Sequence, residues 1–251
     1  MKAPKISIIT VSFNSAETIA NTLRSVKSQK YCNYEHIVID GGSKDETLAI
    51  IQLNGQHLAR VVSEPDKGIY DAMNKGLAIA TGELVGFLNS DDVYADENVL
   101  SEVACNFAEG AVDYVYGDIL MLNNSGKVVR HWRTGIIPAG GFCDTQIPHP
   151  AFWVRRHLLD SLIPAFDPSY RISADLKQQL ILINKLGARG RYIKRPLTLM
   201  SLGGASTKSL RSYVKGWRES SRAYNDVFGS GGWIFTFKKV FSKVKGIRKI
   251  Y

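Results

Sequence analysis

Asp91 and Asp92 close the segment Gly82-Glu83-Leu84-Val85-Gly86-Phe87-Leu88-Asn89-Ser90-Asp91-Asp92. The apolar run 84–88 reads as a buried strand, and it stops at a polar tip with two carboxylates. In an open α/β sheet, ligands bind just outside the carboxyl ends of the strands. Paired carboxylates there suit a hard divalent cation, which takes oxygen ligands and can share them with phosphates. The plainer alternative is a helix cap, with Asp92 starting a helix near Asp96.

The elements that must position this tip alternate. Segments 6–13 and 35–40 read as strands with a helix over 18–29 between them; a helix over 45–53, a strand over 59–63, a helix over 68–80 and a strand over 83–88 follow. Such alternation predicts an α/β fold with a mostly parallel central sheet flanked by helices. A strand over 113–118 comes next, and Asn123-Asn124-Ser125-Gly126 marks a turn joining 119–122 to 127–133. A helix over 173–187 closed by Gly187, strands over 189–194 and 196–201, and a flexible Gly203-Gly204-Ala205-Ser206 loop precede a helical C-terminal tail. The expected division is a catalytic domain over 1–206, its nucleotide half about 1–118 and its acceptor half about 119–206, followed by a tail over 207–251.

Four motifs follow in order: Ile6-Ser7-Ile8-Ile9-Thr10-Val11-Ser12-Phe13-Asn14; Ile37-Val38-Ile39-Asp40-Gly41-Gly42-Ser43-Lys44-Asp45-Glu46-Thr47; Glu64-Pro65-Asp66-Lys67-Gly68-Ile69-Tyr70-Asp71-Ala72-Met73-Asn74-Lys75-Gly76; and Asn89-Ser90-Asp91-Asp92. Together they resemble the GT-A glycosyltransferases of family 2, most closely the bacterial enzymes that build exopolysaccharide and O-antigen repeat units. The resemblance covers residues 5 to about 206. It implies a Rossmann-like GT-A fold, a nucleotide-sugar donor, a glycan acceptor and Mn²⁺ or Mg²⁺.

Thr10, Ser12 and Asn14 stand at the first strand end, and Asp40 ends the second before two glycines that permit a tight turn and close approach to a ligand. The resemblance implies that Asp40 reads the nucleotide base; Ser43 or Asp45 can also simply cap the next helix. Lys67 can neutralise a diphosphate and Asp71 can bind sugar or ribose hydroxyls at a helix start that itself favours anions; a solvated helix start is the alternative. Many relatives carry Arg where this chain has Met73, leaving Lys67 or a downstream Arg to supply the charge. Asn74 reads as structural, bonding strand-end backbone. Asp92 is the expected metal ligand, with Asp91 binding ribose or sharing the metal; Asn89 replaces the first acid of the family's motif, and its carbonyl can still ligate. A metal there would act as Lewis acid and template on the departing diphosphate.

Inverting sugar transfer needs one carboxylate to deprotonate the nucleophile. Asp175, in Tyr170-Arg171-Ile172-Ser173-Ala174-Asp175, matches the family's base; an ordinary first-turn aspartate is the alternative. His149 in His149-Pro150-Ala151-Phe152-Trp153 resembles a residue beside the donor sugar, or is a structural histidine. The glycine loop at 203–206 resembles a lid over the diphosphate.

Composition bounds the rest. A chain of 251 residues with 45% hydrophobic and 22% charged residues is ordinary for a globular protein. No run approaches a membrane span, and the N-terminus leads straight into a strand with no sign of a signal peptide. Cys32, Cys105 and Cys143 form neither a disulfide framework nor a zinc site and are expected as buried thiols in a reducing cytoplasm. Neither a Gly-x-Gly-x-x-Gly nor a Walker pattern follows the first strand, and no nucleic-acid-binding signature occurs. The charge of +9 is concentrated: residues 213–251 hold nine Lys or Arg against Glu219 and Asp226. On a helical wheel Trp233, Ile234, Phe237, Val240, Phe241, Val244 and Ile247 share one face, Lys238, Lys239, Lys243, Lys245 and Lys249 lie off it, and Phe235 and Arg248 break the pattern. A basic helix with an aromatic apolar face suits an anionic membrane; packing on the catalytic domain or on a second subunit, as in a homodimer, is the alternative.

The leading expectation is an inverting, metal-dependent glycosyltransferase acting on a lipid-linked glycan, peripheral on the inner face of the cell membrane. A nucleotidyltransferase that makes nucleotide-sugars and a non-catalytic glycan- or membrane-binding module are the alternatives. The first lacks its usual Gly-rich signature here, and the second has no need of Asp91, Asp92 and Asp175 together.

Overall fold

The structure, a computed structural model, describes residues 3–123, 125–138, 140–142, 144–201 and 210–247, with side chains to 242. The Gly203-Gly204-Ala205-Ser206 loop, Cys143 and residues 248–251 lie outside that set, as do the side chains of Val244 and Ile247.

The first half is β1 (Ile6–Ser12), α1 (Ile19–Lys27), β2 (Tyr34–Asp40), α2 (Thr47–Asn54), β3 (Arg60–Ser63), α3 (Ile69–Ile79) and β4 (Leu84–Phe87). The strands are parallel in the order β3-β2-β1-β4. Every residue of β1 is buried, because helices cover both faces of the sheet. Ile6 and Ile8 enter one core cluster, while Ile9 and Val11 enter another, following the two-residue period of a strand. α1 turns Ile19, Thr22, Leu23 and Val26 inward at helical spacing. On the opposite face, a Cβ at Gly76 would stand 2.4 Å from Ile9 Cγ2, so the glycine lets α3 lie close on β1.

The second half is β5 (Asp92–Tyr94), α4 (Val99–Ala108), β6 (Tyr114–Leu122), β7 (Val128–Trp132), β8 (Phe152–Arg155), α5 (Arg156–Asp160), α6 (Ala174–Gln179), a π turn over Leu180–Lys185, β9 (Gly190–Ser201), α7 (Leu210–Phe228) and α8 (Gly232–Ile247). β8 lies antiparallel between β4 and β6, β9 runs parallel to β6, β5 is antiparallel to β9, and β7 pairs with β6 as the expected hairpin. The fold is the expected α/β sheet flanked by helices, parallel around β1 and mixed beyond β4. Strand order reverses between β2-β1 and β4, so the carboxyl ends of β1 and β4 flank a topological switch point.

Several local expectations change. Segments 189–194 and 196–201 form one strand, β9; the register with β6 shifts around Pro196, which has no N–H to give to the ladder. The 173–187 helix becomes α6 and then the π turn, ending at Gly187 with φ +68°. Asp92 opens β5 and caps no helix; α4 starts seven residues later. Cys32 and Cys105 are exposed, not buried. Cys105 falls off the Val99, Leu100, Val103, Ala104, Phe107 face that α4 buries, and Cys32 sits in the loop before β2.

The two acids of the basic tail both attach it. Glu219 accepts the backbone N–H groups of Arg171, Ile172 and Ser173 just before α6. Asp226 accepts the Tyr170 hydroxyl at 2.7 Å and Lys177 Nζ at 2.9 Å.

Within the parallel part of the sheet, buried His36 of β2 bonds Thr10 Oγ1 at 2.9 Å and His57 at 3.0 Å. Burial, helped by His57, pushes the His36 ring down to about 3. Glu35 is desolvated yet pulled down to about 2 by bonds from Lys5, Ser7 and Thr81. Both folded values lie below the ordinary ones, so both contributions to stability are complete above the unfolded pKa values and are lost as pH falls. Chemical denaturation should therefore show stability dropping from about pH 6.5 toward pH 3, with His36→Gln flattening the upper part of that slope. An unchanged slope in the variant would assign the acid lability elsewhere.

Candidate active site

The carboxyl ends of the parallel strands carry a continuous polar rim. Asn14, the only non-glycine described residue with positive φ (49°), follows β1; asparagine tolerates this left-handed turn. Its backbone N–H donates to Ser43 Oγ at 2.8 Å and its Oδ1 accepts from Lys44 N at 2.9 Å. Ser15 Oγ bonds Ser90 Oγ at 2.7 Å, tying the β1 end to the β4 end across the switch point.

Asp40 is fully buried. Its two oxygens accept bonds from Ser12 Oγ, Gly42 N, Ser43 N, Ser43 Oγ and Ser63 Oγ. Burial raises its pKa, but these donors, led by Ser43, hold it below the usual carboxylate range. Asp40 thus fastens the β2 turn, and Ser12 serves it. Beside the turn a Cβ at Gly41 would fall 2.3 Å from Asp66 Oδ2 and 3.4 Å from the Phe13 ring. Phe13 is 60% exposed at the β1 tip, a flat apolar surface open to a planar ligand.

Thr10 is corrected. It is fully buried one strand repeat below the tip, and its hydroxyl is spent on His36; it cannot meet a ligand at the rim.

Asp92 is 1% exposed. Its Oδ2 accepts from Asn89 Nδ2 at 3.2 Å, while Asp92 Oδ1 and Asn89 Oδ1 are buried without a hydrogen-bond partner. Burial, reinforced by the Asp91 charge, pushes its carboxyl well above the ordinary range. Orphaned buried oxygens are rare and need a reason. Two carboxylates and an amide oxygen, all hard donors, fit Mg²⁺ or Mn²⁺. Among the described residues no third His, Cys, Asp or Glu joins them, so donor phosphates or water would complete a coordination shell.

At the start of α3, Asp71 Oδ2 accepts Lys67 N at 3.0 Å and lies 3.7 Å from Lys75 Nζ. That is the helix-start role held open as the alternative. Arg171 Nη1 donates to the Lys67 carbonyl, and Gly68, at φ +121°, leaves it room: a Cβ there would stand 2.6 Å from Nη1. A downstream arginine therefore reaches the rim where Met73, buried in the core, cannot.

Asp175 is 8% exposed in the first turn of α6. Tyr70 OH donates to Oδ1 at 3.1 Å and Gln146 Nε2 to Oδ2 at 3.0 Å. Each carboxylate oxygen keeps a further lone pair. His149 stacks on Phe87 at the end of β4, 5.1 Å between centroids, and meets Phe166 edge-on. Both its ring nitrogens are buried and unpartnered. Burial lowers its pKa against the opposing pull of Asp175, which favours the neutral ring. Asn74 is structural, but it bonds both backbone groups of Phe166 in the loop between α5 and α6, not strand-end backbone as expected.

Residues 7–161, more than half of the chain, match the family described as Glycosyl transferase family 2. The chain belongs to that family. Over 179 residues the chain is 33% identical to a PGL/p-HBAD biosynthesis glycosyltransferase of Mycobacterium tuberculosis, covering 70% of this chain and 68% of the relative. A 117-residue stretch, 46% of this chain, is 42% identical to an uncharacterized glycosyltransferase of the same organism and spans 45% of that relative. A 124-residue stretch, 49% of each chain, is 29% identical to the Escherichia coli UDP-Glc:alpha-D-GlcNAc-diphosphoundecaprenol beta-1,3-glucosyltransferase WfgD. The chain thus spans about half the length of two of these relatives. Its fold superposes with a TM-score of 0.68 on the mannosyltransferase PcManGT from Pyrobaculum calidifontis, solved in complex with GDP-Man and Mn2+, at 19% identity over 99% of this chain and 71% of that one.

Of the residues expected in the site, Ser12, Asn14 and Asp40 stand at the ends of β1 and β2, Asp91 and Asp92 follow β4, Lys67 and Asp71 stand at the start of α3, Asp175 opens α6 beside Tyr70, and His149 precedes β8 and stacks on Phe87 of β4. Sequence reading passed over Phe13, Tyr70, Gln146 and Arg171 as site residues. Phe13 had a signal, an aromatic immediately after a buried strand. Gln146 had none, because only the fold brings it to Asp175.

Proposed function

We propose that this transferase moves a sugar with inversion from a nucleoside-diphosphate sugar to a hydroxyl of a lipid-linked glycan. The observation that carries the reading is the buried, orphaned oxygen pair on Asp92 and Asn89 beside Asp91, just past the carboxyl end of β4. Asp92, Asp91 and the Asn89 carbonyl would hold Mn²⁺ or Mg²⁺, which when bound supplies charge neutralisation at the donor diphosphate. Phe13 and the Gly41-Gly42 turn offer the nucleobase a flat wall, with Asp40 exchanging a serine donor for a base N–H. Lys67 and Arg171 bring positive charge to the phosphates, and Asp71 meets hydroxyls with its remaining lone pairs. His149, neutral and with two unpartnered nitrogens, bonds a sugar hydroxyl. Asp175, steadied by Tyr70 and Gln146, accepts the proton of the incoming hydroxyl. The decisive assay is nucleotide release from UDP-glucose, UDP-GlcNAc and GDP-mannose with MnCl₂ and in EDTA. Release from one donor with Mn²⁺ only supports the reading; no release from any, or equal release in EDTA, refutes it.

The acceptor and the location rest on α8. No described helix is long and apolar enough to cross a membrane. Trp233, Ile234, Phe237 and Phe241 are each more than half exposed, while Phe235, which broke the wheel pattern, is the aromatic that docks α8. The face expected to meet lipid or protein thus points to solvent, with Lys238 exposed beside it. This supports peripheral attachment to an anionic membrane, and WfgD, by its name, acts on a diphosphoundecaprenol-linked sugar. Replacing Trp233, Phe237 and Phe241 by Ser should abolish sedimentation with phosphatidylglycerol vesicles and leave nucleotide release unchanged. Undiminished sedimentation would refute the membrane role. Deleting 231–251 is a poorer test, since it also strips Phe235 and Lys239 from the interior.

A further inference from the structure

Lys239 is 5% exposed, which is unusual for a lysine. It projects from the inner face of α8, one turn after Phe235, whose ring stacks on Tyr224 of α7 at 4.9 Å. Its Nζ donates to Ser220 Oγ at 2.7 Å and to Gln146 Oε1 at 3.1 Å, both neutral acceptors. The other end of the same amide, Gln146 Nε2, donates to Asp175 Oδ2 at 3.0 Å. A lysine only donates and a carboxylate only accepts, so the two ends demand the same orientation of Gln146. Gln146 thus bonds a buried lysine with one end of its amide and a buried carboxylate with the other.

We propose that Lys239 is a positioning residue for Asp175, acting through Gln146, so that the C-terminal helix α8 is part of the catalytic apparatus. The proposal rests on Asp175 being the base. Tyr70 holds Oδ1 from α3, and Gln146, locked by Lys239, holds Oδ2. The carboxylate then cannot rotate about its terminal torsion, and its free lone pairs keep one direction toward the acceptor. A small displacement of a reacting group can cost about 10²-fold in rate, so a lost clamp acts on turnover and not on donor binding.

The test uses the full chain, Mn²⁺ and whichever of UDP-glucose, UDP-GlcNAc and GDP-mannose gives the fastest nucleotide release. Lys239→Met and Gln146→Leu should each lower kcat by about 10-fold or more and leave donor KM within about twofold. The double variant should be little worse than either single one, since both break one relay. Unchanged kcat in both single variants, with turnover lost in Asp175→Asn, would overturn the relay and leave the base in place. Wild-type turnover in Asp175→Asn would instead remove the base, and the relay with it. A raised KM at intact kcat, or fully additive losses, would reduce Lys239 to a packing residue. Gln146→Leu leaves the Ser220 bond to α8 intact, so it decides the matter if Lys239→Met does not fold.

Discussion

Asp175→Asn is expected to lower turnover by roughly 10²-fold or more while donor KM stays within about twofold, the signature of a lost general base. The amide is isosteric, and it can still accept the Tyr70 hydroxyl. It has no basic lone pair for a proton, and its NH₂ would confront the Gln146 NH₂ that now donates to Oδ2. Steady-state nucleotide release with Mn²⁺ measures both parameters. Wild-type turnover would move the base to another carboxylate. Asp167 is a poor substitute: despite burial, Lys177 at 2.9 Å and Ser169 hold it at about 2, too weak a base for a hydroxyl proton. Asp144, whose carbonyl accepts Ser242 of α8, would be the one to test.

Asp92→Asn should be as damaging to activity and yet leave the fold intact. The carboxylate sits 1% exposed with one oxygen unpartnered and its pKa driven up by burial and by Asp91. Such a group costs stability in the absence of a ligand, so the neutral amide should melt no lower than the wild type. Turnover should fall roughly 10²-fold or more and calorimetry should register no Mn²⁺-dependent tightening of nucleotide binding. A variant that kept both would show that Asp92 holds no metal. A variant that lost activity by unfolding would show that the acid is structural.

Local pattern carried much of this protein. Apolar runs over 6–12, 36–40 and 84–88 gave three of the strands and the polar residues that follow them, because alternation and helix–strand order are set by residues near one another in the chain. The order of the four motifs gave the family, and the bias of the tail gave a basic amphipathic helix. Three things came only from the tertiary structure. Thr10 and Asp40 share one face of β1 and β2 with Ser12, and depth below the rim, not residue type, decided that Thr10 serves His36 and that Asp40 is wrapped by serines. Arg171 reaches the α3 start across 104 residues of sequence, a pairing without a local signal. The orientation of α8 was also beyond reach: a wheel separates faces but cannot tell which one turns inward. Phe235, which broke that wheel, and Lys239, which lay off its apolar face, turn to the core because Tyr224, Ser220 and Gln146 offer them a ring to stack on and two oxygens to bond. Trp233, Ile234, Phe237 and Phe241 lie on the other side of the helix and stay more than half exposed. Burial is a property of the whole packed chain, and that is why the sequence could name the residues of the tail but not their roles.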